Sequence, residues 1–284
     1  MIRCLKRNDI DIEKYDSCIE NSFNSRIYAY SWYLDIVADN WDVLVLDDYE
    51  AVMPLTWRQK YFIKYIYPPA WTQQLGVFAI RETSEELILK FIKAIPRRFK
   101  KITIQFNSEN KFNYKKLTER VNYILSLDKP YEEIYKDFKR DRKYRLNQSK
   151  KFKIQLFKGE INDLISTGKT HYAHINISDE DYEKLLIIGK FEHVFIVSAY
   201  LKGGFLGGVL FLKSKNRITY LFSVANSIGK EKQVISLIIN SIFKKYQNTN
   251  TVFDFEGSMI KGVADFYKSF GGRIENYNQI SFFN

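Results

Sequence analysis

Two acidic residues near the C-terminal end of the sequence could carry out proton transfer. Asp254 and Glu256 lie two residues apart in an apolar stretch, and a strand would direct both side chains to one face. A short helical pattern follows and contains Tyr267. A carboxylate can take a proton from an amine, and a tyrosine hydroxyl can give one to a leaving group. We therefore treat these three residues as catalytic candidates; the pattern is equally compatible with carboxylates that only bind the backbone of the following loop.

The residues before this segment predict the elements that would position it. Three apolar runs indicate strands, with a tight Gly-Gly turn between the first two. An apolar stripe of helical period then predicts a helix that ends at about Gln247. The predicted order is strand, strand, strand, helix, strand, helix, strand. The predicted strands cover residues 195–200, 205–212, 217–224, 252–256 and 273–283, and the stripe consists of Val234, Ile235, Ile238, Ile239 and Ile242.

The first half of the sequence follows the same order, which indicates two copies of one α/β unit. Four apolar positions of a helical stripe align with four positions of the second half at a constant offset of 147 residues. The strand that corresponds to Asp254 and Glu256 has no acids in the first copy, so the chemistry is predicted in the second. The aligned residues are Ile88, Phe91, Ile92 and Ile95, and the strands predicted in the first copy cover residues 43–46, 51–55, 61–67 and 102–106.

The composition indicates a globular protein. The chain has 284 residues, of which 45% are hydrophobic and 16% aromatic, enough for one large core or two of ordinary size. With 5 Pro and 13 Gly, it has no tract typical of a long flexible linker. No apolar stretch resembles a secretory signal, and none reaches the ~20 residues that a membrane helix needs. We therefore expect a cytoplasmic protein without a membrane span.

Cysteine and histidine residues do not predict a metal centre. Cys4 and Cys18 lack the spacing of a zinc or redox motif. His171 and His174 are three residues apart on a predicted helix and could form a metal-binding pair. Surface or helix-capping roles are favoured for them, so no metal cofactor is predicted.

The positive charge of the chain is concentrated in one stretch. The formal net charge is +11, and residues 136–153 contain nine basic and two acidic residues. Apolar residues just before this stretch predict a helix at 129–153 with one packed and one basic face. Such a face attracts phosphate, RNA or an anionic surface, although it can also be merely solvated. We select Arg142, Lys143 and Arg145 as candidate ligands of a substrate phosphate, because guanidinium groups bind phosphate oxygens bidentately.

These motifs resemble those of the GNAT superfamily of N-acyltransferases, in the tandem form found in Fem-type aminoacyltransferases. The most specific motifs are residues 253–257, followed by 266–271, and the basic stretch 138–153. The resemblance covers nearly the whole chain. It implies an α/β fold of two tandem GNAT-like domains, at residues 1–128 and 129–284, the second beginning with the basic helix. Each domain would be a mixed, mostly antiparallel sheet flanked by helices.

The resemblance implies an activated acyl donor and leaves two kinds of donor open. Ordinary GNAT enzymes use acyl-CoA, whereas Fem-type enzymes use aminoacyl-tRNA. Tyr267 stands where the Fem pattern tends to have lysine and resembles the leaving-group acid of many acyl-CoA enzymes, which favours acetyl-CoA or another acyl-CoA. The turn that holds the pyrophosphate in acyl-CoA enzymes contains a single glycine here. The residues assigned to cofactor binding in this way are Val224, Ser227, Gly229, Lys230 and Lys232.

The function implied by the resemblance is transfer of an acyl or aminoacyl group from a thioester or ester carrier to a primary amine. The acceptor would be a phosphate-bearing small molecule or peptide, and a nucleotide-linked acceptor and tRNA are further partners that the sequence leaves open. One alternative is a Fem-type aminoacyl-tRNA-dependent transferase that acts on a peptidoglycan precursor. The other is a non-catalytic tandem fold that binds RNA or phosphate.

Overall fold

The computed structural model describes residues 1–172, 177–257 and 259–284, which form two compact units. The first unit consists of Met1–Val121 and Asn276–Asn284, and the second of Asn122–Glu275. Each unit combines a mixed β-sheet with helices.

We number the strands and helices of the described residues in chain order. The strands are β1 (Ile2–Lys6), β2 (Asn40–Leu46), β3 (Ala51–Lys60), β4 (Ile63–Ile66), β5 (Phe78–Ala79), β6 (Phe99–Gln105), β7 (Leu117–Ser126), β8 (Gln155–Lys158), β9 (Val194–Leu201), β10 (Gly204–Ser214), β11 (Arg217–Ala225), β12 (Val252–Asp254) and β13 (Arg273–Phe283). The helices are α1 (Ile12–Asn21), α2 (Ser31–Val37), α3 (Glu85–Lys93), α4 (Tyr131–Lys136), α5 (Arg140–Ser149), α6 (Ile161–His171), α7 (Asp179–Ile188), α8 (Ser227–Glu231), α9 (Val234–Tyr246) and α10 (Lys261–Lys268).

The sheet of the first unit has the order β1-β2-β3-β4-β6-β13, and β5 pairs with β3. Its pairs are antiparallel except for β4 with β6, which is parallel. Helix α3 begins at Ser84, whose side chain accepts a hydrogen bond from the N–H of Leu87. It then buries Ile88, Phe91 and Ile92 in the core of this unit, as its apolar spacing predicts.

The sheet of the second unit has the order β8-β9-β10-β11-β12-β7. Strands β11 and β12 are parallel and pair only over Arg217–Thr219 and Val252–Asp254. Strand β11 continues to Ala225 along β10, whereas β12 ends at Asp254. The two strands therefore separate, and one edge of the second half of β11 is left beside a gap.

Helix α9 and a cluster of phenylalanines form the core of the second unit. The helix buries the predicted stripe, including Ile238, Ile239 and Ile242. The ring of Phe243, on the same helix, contacts Phe253 of β12 edge to face at 5.0 Å between centroids. This burial holds α9 against β9, β10 and β11 of the sheet.

The structure confirms the predicted α/β fold class and the predicted strands of the second copy, with ends that differ by a few residues. The basic segment 129–153 differs from prediction, because it forms α4 and α5 instead of one helix. Phe138 lies between the two helices and packs edge to face against Phe270 at 5.3 Å, and Lys139 is extended. Residues 137–139 thus separate α4 from α5.

The division of the chain also differs from a cut at residues 128 and 129. The last nine residues belong to the first unit, because Gln279–Phe283 pair with Lys101–Gln105 of β6. Strand β7 passes from one unit into the other at Val121 and Asn122. Local sequence pattern does not reveal such a return of the chain, because it depends on a pairing between distant strands.

Candidate active site

Tyr267 lies on the face of α10 that packs on β11 and β12. Its ring is 4.8 Å from that of Phe255, just after β12, and 6.2 Å from that of Tyr220 on β11, between centroids. Only 6% of the residue is exposed, and among the described residues its hydroxyl has no hydrogen-bond partner. Burial, and then the neighbouring Tyr220, Glu256 and Asp254, raise the pKa of Tyr267 well above its usual value. The site therefore holds a phenol that stays protonated at neutral pH.

Asp254 is committed to a buried network of polar side chains. Its Oδ2 accepts a hydrogen bond of 2.6 Å from Arg217, and its Oδ1 accepts bonds from the Asn122 amide and the Glu256 N–H. Arg217 also pairs with Glu275 at 2.8 Å. Burial by itself lowers the pKa of Arg217, but the two carboxylates raise it above its usual value. Because these bonds occupy both oxygens of Asp254, its contacts are those of a structural carboxylate.

Glu256 is placed differently from Asp254, although both were predicted to share one strand face. Strand β12 ends at Asp254, and Glu256 has a left-handed backbone with φ of 58°. The residue is half-buried and close enough to raise the pKa of Tyr267. A carboxylate and a phenol thus both lie near the end of β12, where β11 and β12 separate.

A cavity of about 450 Å³ lies at the N-terminus of α9. It is lined by backbone and side chains of the first turn of α9, by α5 and by α10. The residue before the helix, Gln233, has φ of 58° and makes no side-chain cap. The first N–H groups of a helix lack partners within the helix and carry partial positive charge, so this end of α9 favours an anion.

Arg142 is a buried cation in the wall of this cavity. Its guanidinium donates to Ser269 at 2.9 Å and to Ser236 at 2.5 Å, and it lies 4.6 Å from the ring centroids of both Phe266 and Phe270. These partners are neutral, and no described carboxylate is within ion-pair distance of it. Burial lowers the pKa of Arg142 to about 10, so the group remains charged at neutral pH.

Arg145 and Lys230 add two further positive charges to the cavity, and two exposed carboxylates lie at its rim. Arg145 is exposed on α5, and the Lys230 ammonium is 4.3 Å from the ring centroid of Tyr172. The carboxylates are those of Asp141 and Asp265. The three cations of the lining, Arg142, Arg145 and Lys230, thus outnumber its two acids.

The structure brings together only some of the predicted binding residues. Arg142, Arg145, Gly229 and Lys230 line the cavity. The other four lie outside its lining: Val224 has a buried side chain, Ser227 is exposed, Lys232 packs on Phe152 at 3.7 Å, and Lys143 donates to the Lys136 carbonyl at 2.8 Å. His174 lies outside the described residues.

Gly229 is needed for packing. A Cβ at this position would overlap the carbonyl oxygen of Leu206 on β10, and its backbone N–H is already bonded to the Asn226 side chain. We expect Gly229→Ala to lower the free energy of unfolding by about 1–3 kcal/mol, because the backbone of α8 or that of β10 must shift to admit the methyl group. Denaturant unfolding should show no comparable loss for Gly262→Ala, since a Cβ there meets nothing within 4 Å. Equal effects of the two substitutions would contradict this role of Gly229.

Sequence reasoning missed the residues that orient the candidates. Ser236 and Ser269 hold Arg142. Arg217 and Asn122 hold Asp254, and both also donate to Glu275. A lone serine or asparagine carries no recognisable spacing, so pattern analysis had no signal for these residues. Within the described residues, no helix is long and apolar enough to span a bilayer.

Solved structures share this fold. FemX aligns with a TM-score of 0.70 and 11% identity, over 95% of this chain and 96% of FemX. A conserved protein of unknown function from Bacteroides thetaiotaomicron aligns with a TM-score of 0.65 and 11% identity, over 98% of this chain and 99% of that one. L-PGS from Bacillus licheniformis aligns with a TM-score of 0.60 and 11% identity, over 96% of this chain and 91% of that one. No family model and no curated protein matches the sequence. The chain thus shares the fold of FemX and of L-PGS.

Proposed function

We propose that the protein is an N-acyltransferase that takes its acyl group from a carrier bearing a phosphate or pyrophosphate. The observation that carries this proposal is Arg142, a buried cation without a carboxylate partner, in the wall of a cavity at the N-terminus of α9. A buried charge is costly unless it is paired. A bound phosphate would supply the missing negative charge.

The residues of the cavity fit such a group. Arg142 and Arg145 can donate to phosphate oxygens, the first turn of α9 lines the same cavity, and Lys230 adds a third cation. When bound, the carrier supplies a thioester or ester carbonyl that an amine can attack. Acetyl-CoA or another acyl-CoA meets these requirements, and the phosphates would lie in the cavity while the acyl end lies toward the gap between β11 and β12.

Three groups along this gap divide the transfer chemistry. Glu256 takes a proton from the attacking amine, whose nitrogen forms a bond to the carbonyl carbon. The N–H of Ser223 donates to the carbonyl oxygen as it gains negative charge. Tyr267 donates its hydroxyl proton to the sulfur or oxygen that leaves as its bond to the carbonyl carbon breaks. Asp254 is left in a supporting role, because it holds the Glu256 N–H at 2.8 Å.

The assignment of Ser223 follows from the direction of its backbone. The N–H of Ala225 donates to the Tyr172 hydroxyl at 3.3 Å, away from β10. Backbone N–H groups alternate in direction along a strand, so the N–H two residues earlier points to the same side. That side is the gap, where Tyr220 and Tyr267 also lie.

A second candidate is a Fem-type transferase with an aminoacyl-tRNA donor. The exposed basic side chains of α4, α5 and the following turn favour this candidate, because they offer several phosphate contacts outside the cavity. These residues are Lys136, Lys139, Arg140, Lys150 and Lys151. A peptidoglycan precursor as acceptor belongs to this candidate, and a non-catalytic phosphate-binding or RNA-binding protein would use the same surface without Tyr267.

Calorimetric titration with acetyl-CoA, free CoA and deacylated tRNA tests the phosphate site. We expect Arg145→Gln to weaken binding of CoA about 10-fold, because a charged hydrogen bond to phosphate is lost. Lys143→Gln is the matched control on the same helix and should change the CoA Kd less than about 2-fold, since its ammonium binds the Lys136 carbonyl instead.

The outcomes separate the candidates. Binding of CoA that persists at moderate salt and depends on Arg145 supports the acyl-CoA reading. Binding of tRNA alone, with steep salt dependence, transfers the proposal to the aminoacyl-tRNA candidate. If none of the three ligands binds, or if Lys143→Gln weakens binding as much as Arg145→Gln, the phosphate site proposed here is wrong.

A further inference from the structure

The β3–β4 hairpin of the first unit ends in two aromatic residues that are almost fully exposed. Phe62 is 96% exposed, Tyr61 is 82% exposed and the adjacent Ile63 is 51% exposed. Among the described residues, no other aromatic side chain is as exposed as Tyr61 and Phe62. Exposing one apolar side chain is ordinary, whereas three consecutive ones at the tip of a hairpin indicate a surface that contacts another phase or molecule.

The turn itself is unfavourable for these residues. Lys60 pairs with Ile63, so Tyr61 and Phe62 form a two-residue turn, and their φ angles are 48° and 66°. Two positive φ values define a type I′ turn, for which Asn-Gly is the preferred sequence. Large aromatic residues are strained in this conformation. The hairpin therefore carries aromatic rings in the position where they help folding least.

Basic residues surround the tip and its neighbouring strand. Lys60 and Lys64 flank the turn. Strand β6 pairs with β4 in parallel and begins within the segment 97–101, which contains four basic residues and no acid. Tyr65 pairs with Lys101, so this segment lies beside the hairpin. Two nearby carboxylates are paired, Asp39 with Arg58 and Asp42 with Arg98. The remaining exposed basic residues of the segment are Arg97, Lys100 and Lys101.

From these observations we infer that the β3–β4 tip inserts into the interfacial layer of an anionic lipid bilayer. Aromatic rings favour the boundary between headgroups and acyl chains, and lysines beside them attract anionic headgroups. The combination of protruding rings with uncompensated positive charge fits a bilayer better than a protein groove, which would need a shaped apolar partner. This surface lies in the first unit and does not depend on the proposed acyl transfer.

The test measures sedimentation of the full chain with vesicles of phosphatidylcholine, with and without phosphatidylglycerol, and without any acyl donor. We expect the wild-type protein to partition at least about 10-fold more strongly onto the anionic vesicles, and less strongly as salt is raised. The double substitution Tyr61→Asn with Phe62→Gly should weaken this partitioning by about 10- to 100-fold, because two buried rings are lost.

The chain offers controls that keep this test decisive. Asn-Gly is the preferred type I′ sequence, so the double variant should melt at or above the temperature of the wild type, which excludes misfolding as the cause of lost binding. Ile80→Ser removes an apolar side chain that is 57% exposed elsewhere in the same unit and should leave binding unchanged. Lys60→Gln with Lys100→Gln and Lys101→Gln should abolish the preference for anionic vesicles.

Three results would overturn the inference. Absence of wild-type binding to both kinds of vesicle would assign the tip to a protein partner instead. Equal binding to neutral and anionic vesicles would remove the role of the basic residues. Wild-type binding by the Tyr61→Asn, Phe62→Gly variant would show that charge alone carries the attraction and that the rings do not insert.

Discussion

Replacing Tyr267 with phenylalanine is expected to lower turnover by about 100-fold or more, because the variant cannot donate a proton to the leaving group. Binding of the donor should be unchanged, since Tyr267 is not part of the cavity at α9. Tyr123→Phe is the matched control, because its ring lies 6.1 Å from that of Tyr267 in the same aromatic cluster. Steady-state rates and donor Kd values for both variants check this expectation. Comparable rate losses in the two variants would assign Tyr267 to packing.

The pH dependence gives a second readout for the same hydroxyl. Burial, followed by the effect of Tyr220 and the two carboxylates, raises the pKa of Tyr267 above 10, so the proton is retained throughout the neutral and mildly alkaline range. A tyrosine whose pKa is higher in the folded than in the unfolded state contributes stability below its unfolded pKa, and this contribution is lost as the pH rises through the folded pKa. Tyr267→Phe should therefore lose less unfolding free energy than the wild type when the pH is raised above 10.

Replacing Arg217 with methionine is expected to lower the free energy of unfolding by about 3–5 kcal/mol, the usual cost of leaving a buried carboxylate without its partner. Two carboxylates are affected here, since Arg217 binds Asp254 at 2.6 Å and Glu275 at 2.8 Å, and 12% or less of each of these three side chains is exposed. Urea or guanidinium unfolding measures the change.

Arg7→Met is the control for Arg217→Met, because it removes a similar pair at the surface. Arg7 binds Asp35 at 2.7 Å, but 35% of its side chain is exposed, so the loss should be about 1 kcal/mol or less. A loss for Arg217→Met no larger than that for Arg7→Met would mean that the network does not stabilise the second unit. Arg217→Met also removes a hydrogen bond that orients Asp254, so turnover should fall even where this variant is fully folded.

The structure assigns different roles to the two members of the acidic pair Asp254 and Glu256. Asp254 and Glu256 look equivalent when only spacing is considered. In the structure Asp254 is fully buried with three kinds of partner, whereas Glu256 is half-buried, lies beyond the end of β12 and has a left-handed backbone. Glu256→Gln should therefore affect turnover at constant stability, while loss of Asp254 should affect stability as well.

The order of elements and the two-copy organisation follow from the sequence by itself. The apolar spacing of α3 and α9 is visible in the chain because a helix that packs on a sheet needs an apolar residue every three to four positions. The alternating and continuous apolar runs mark β9, β10 and β11 for the same local reason. Tyr267 and the concentration of charge near Arg142 could also be selected as candidates at this level.

Tertiary structure alone decided which candidates meet. Arg217 forms ion pairs with Asp254 and Glu275, which lie 37 and 58 residues later in the chain. Arg142 lines the cavity, whereas the ammonium of the adjacent Lys143 binds the Lys136 carbonyl outside it. The gap between β11 and β12 exists because β12 stops after three residues while β11 continues along β10. Spacing in sequence encodes the faces of helices and strands, but burial and charge pairing depend on which distant faces the folded chain brings into contact.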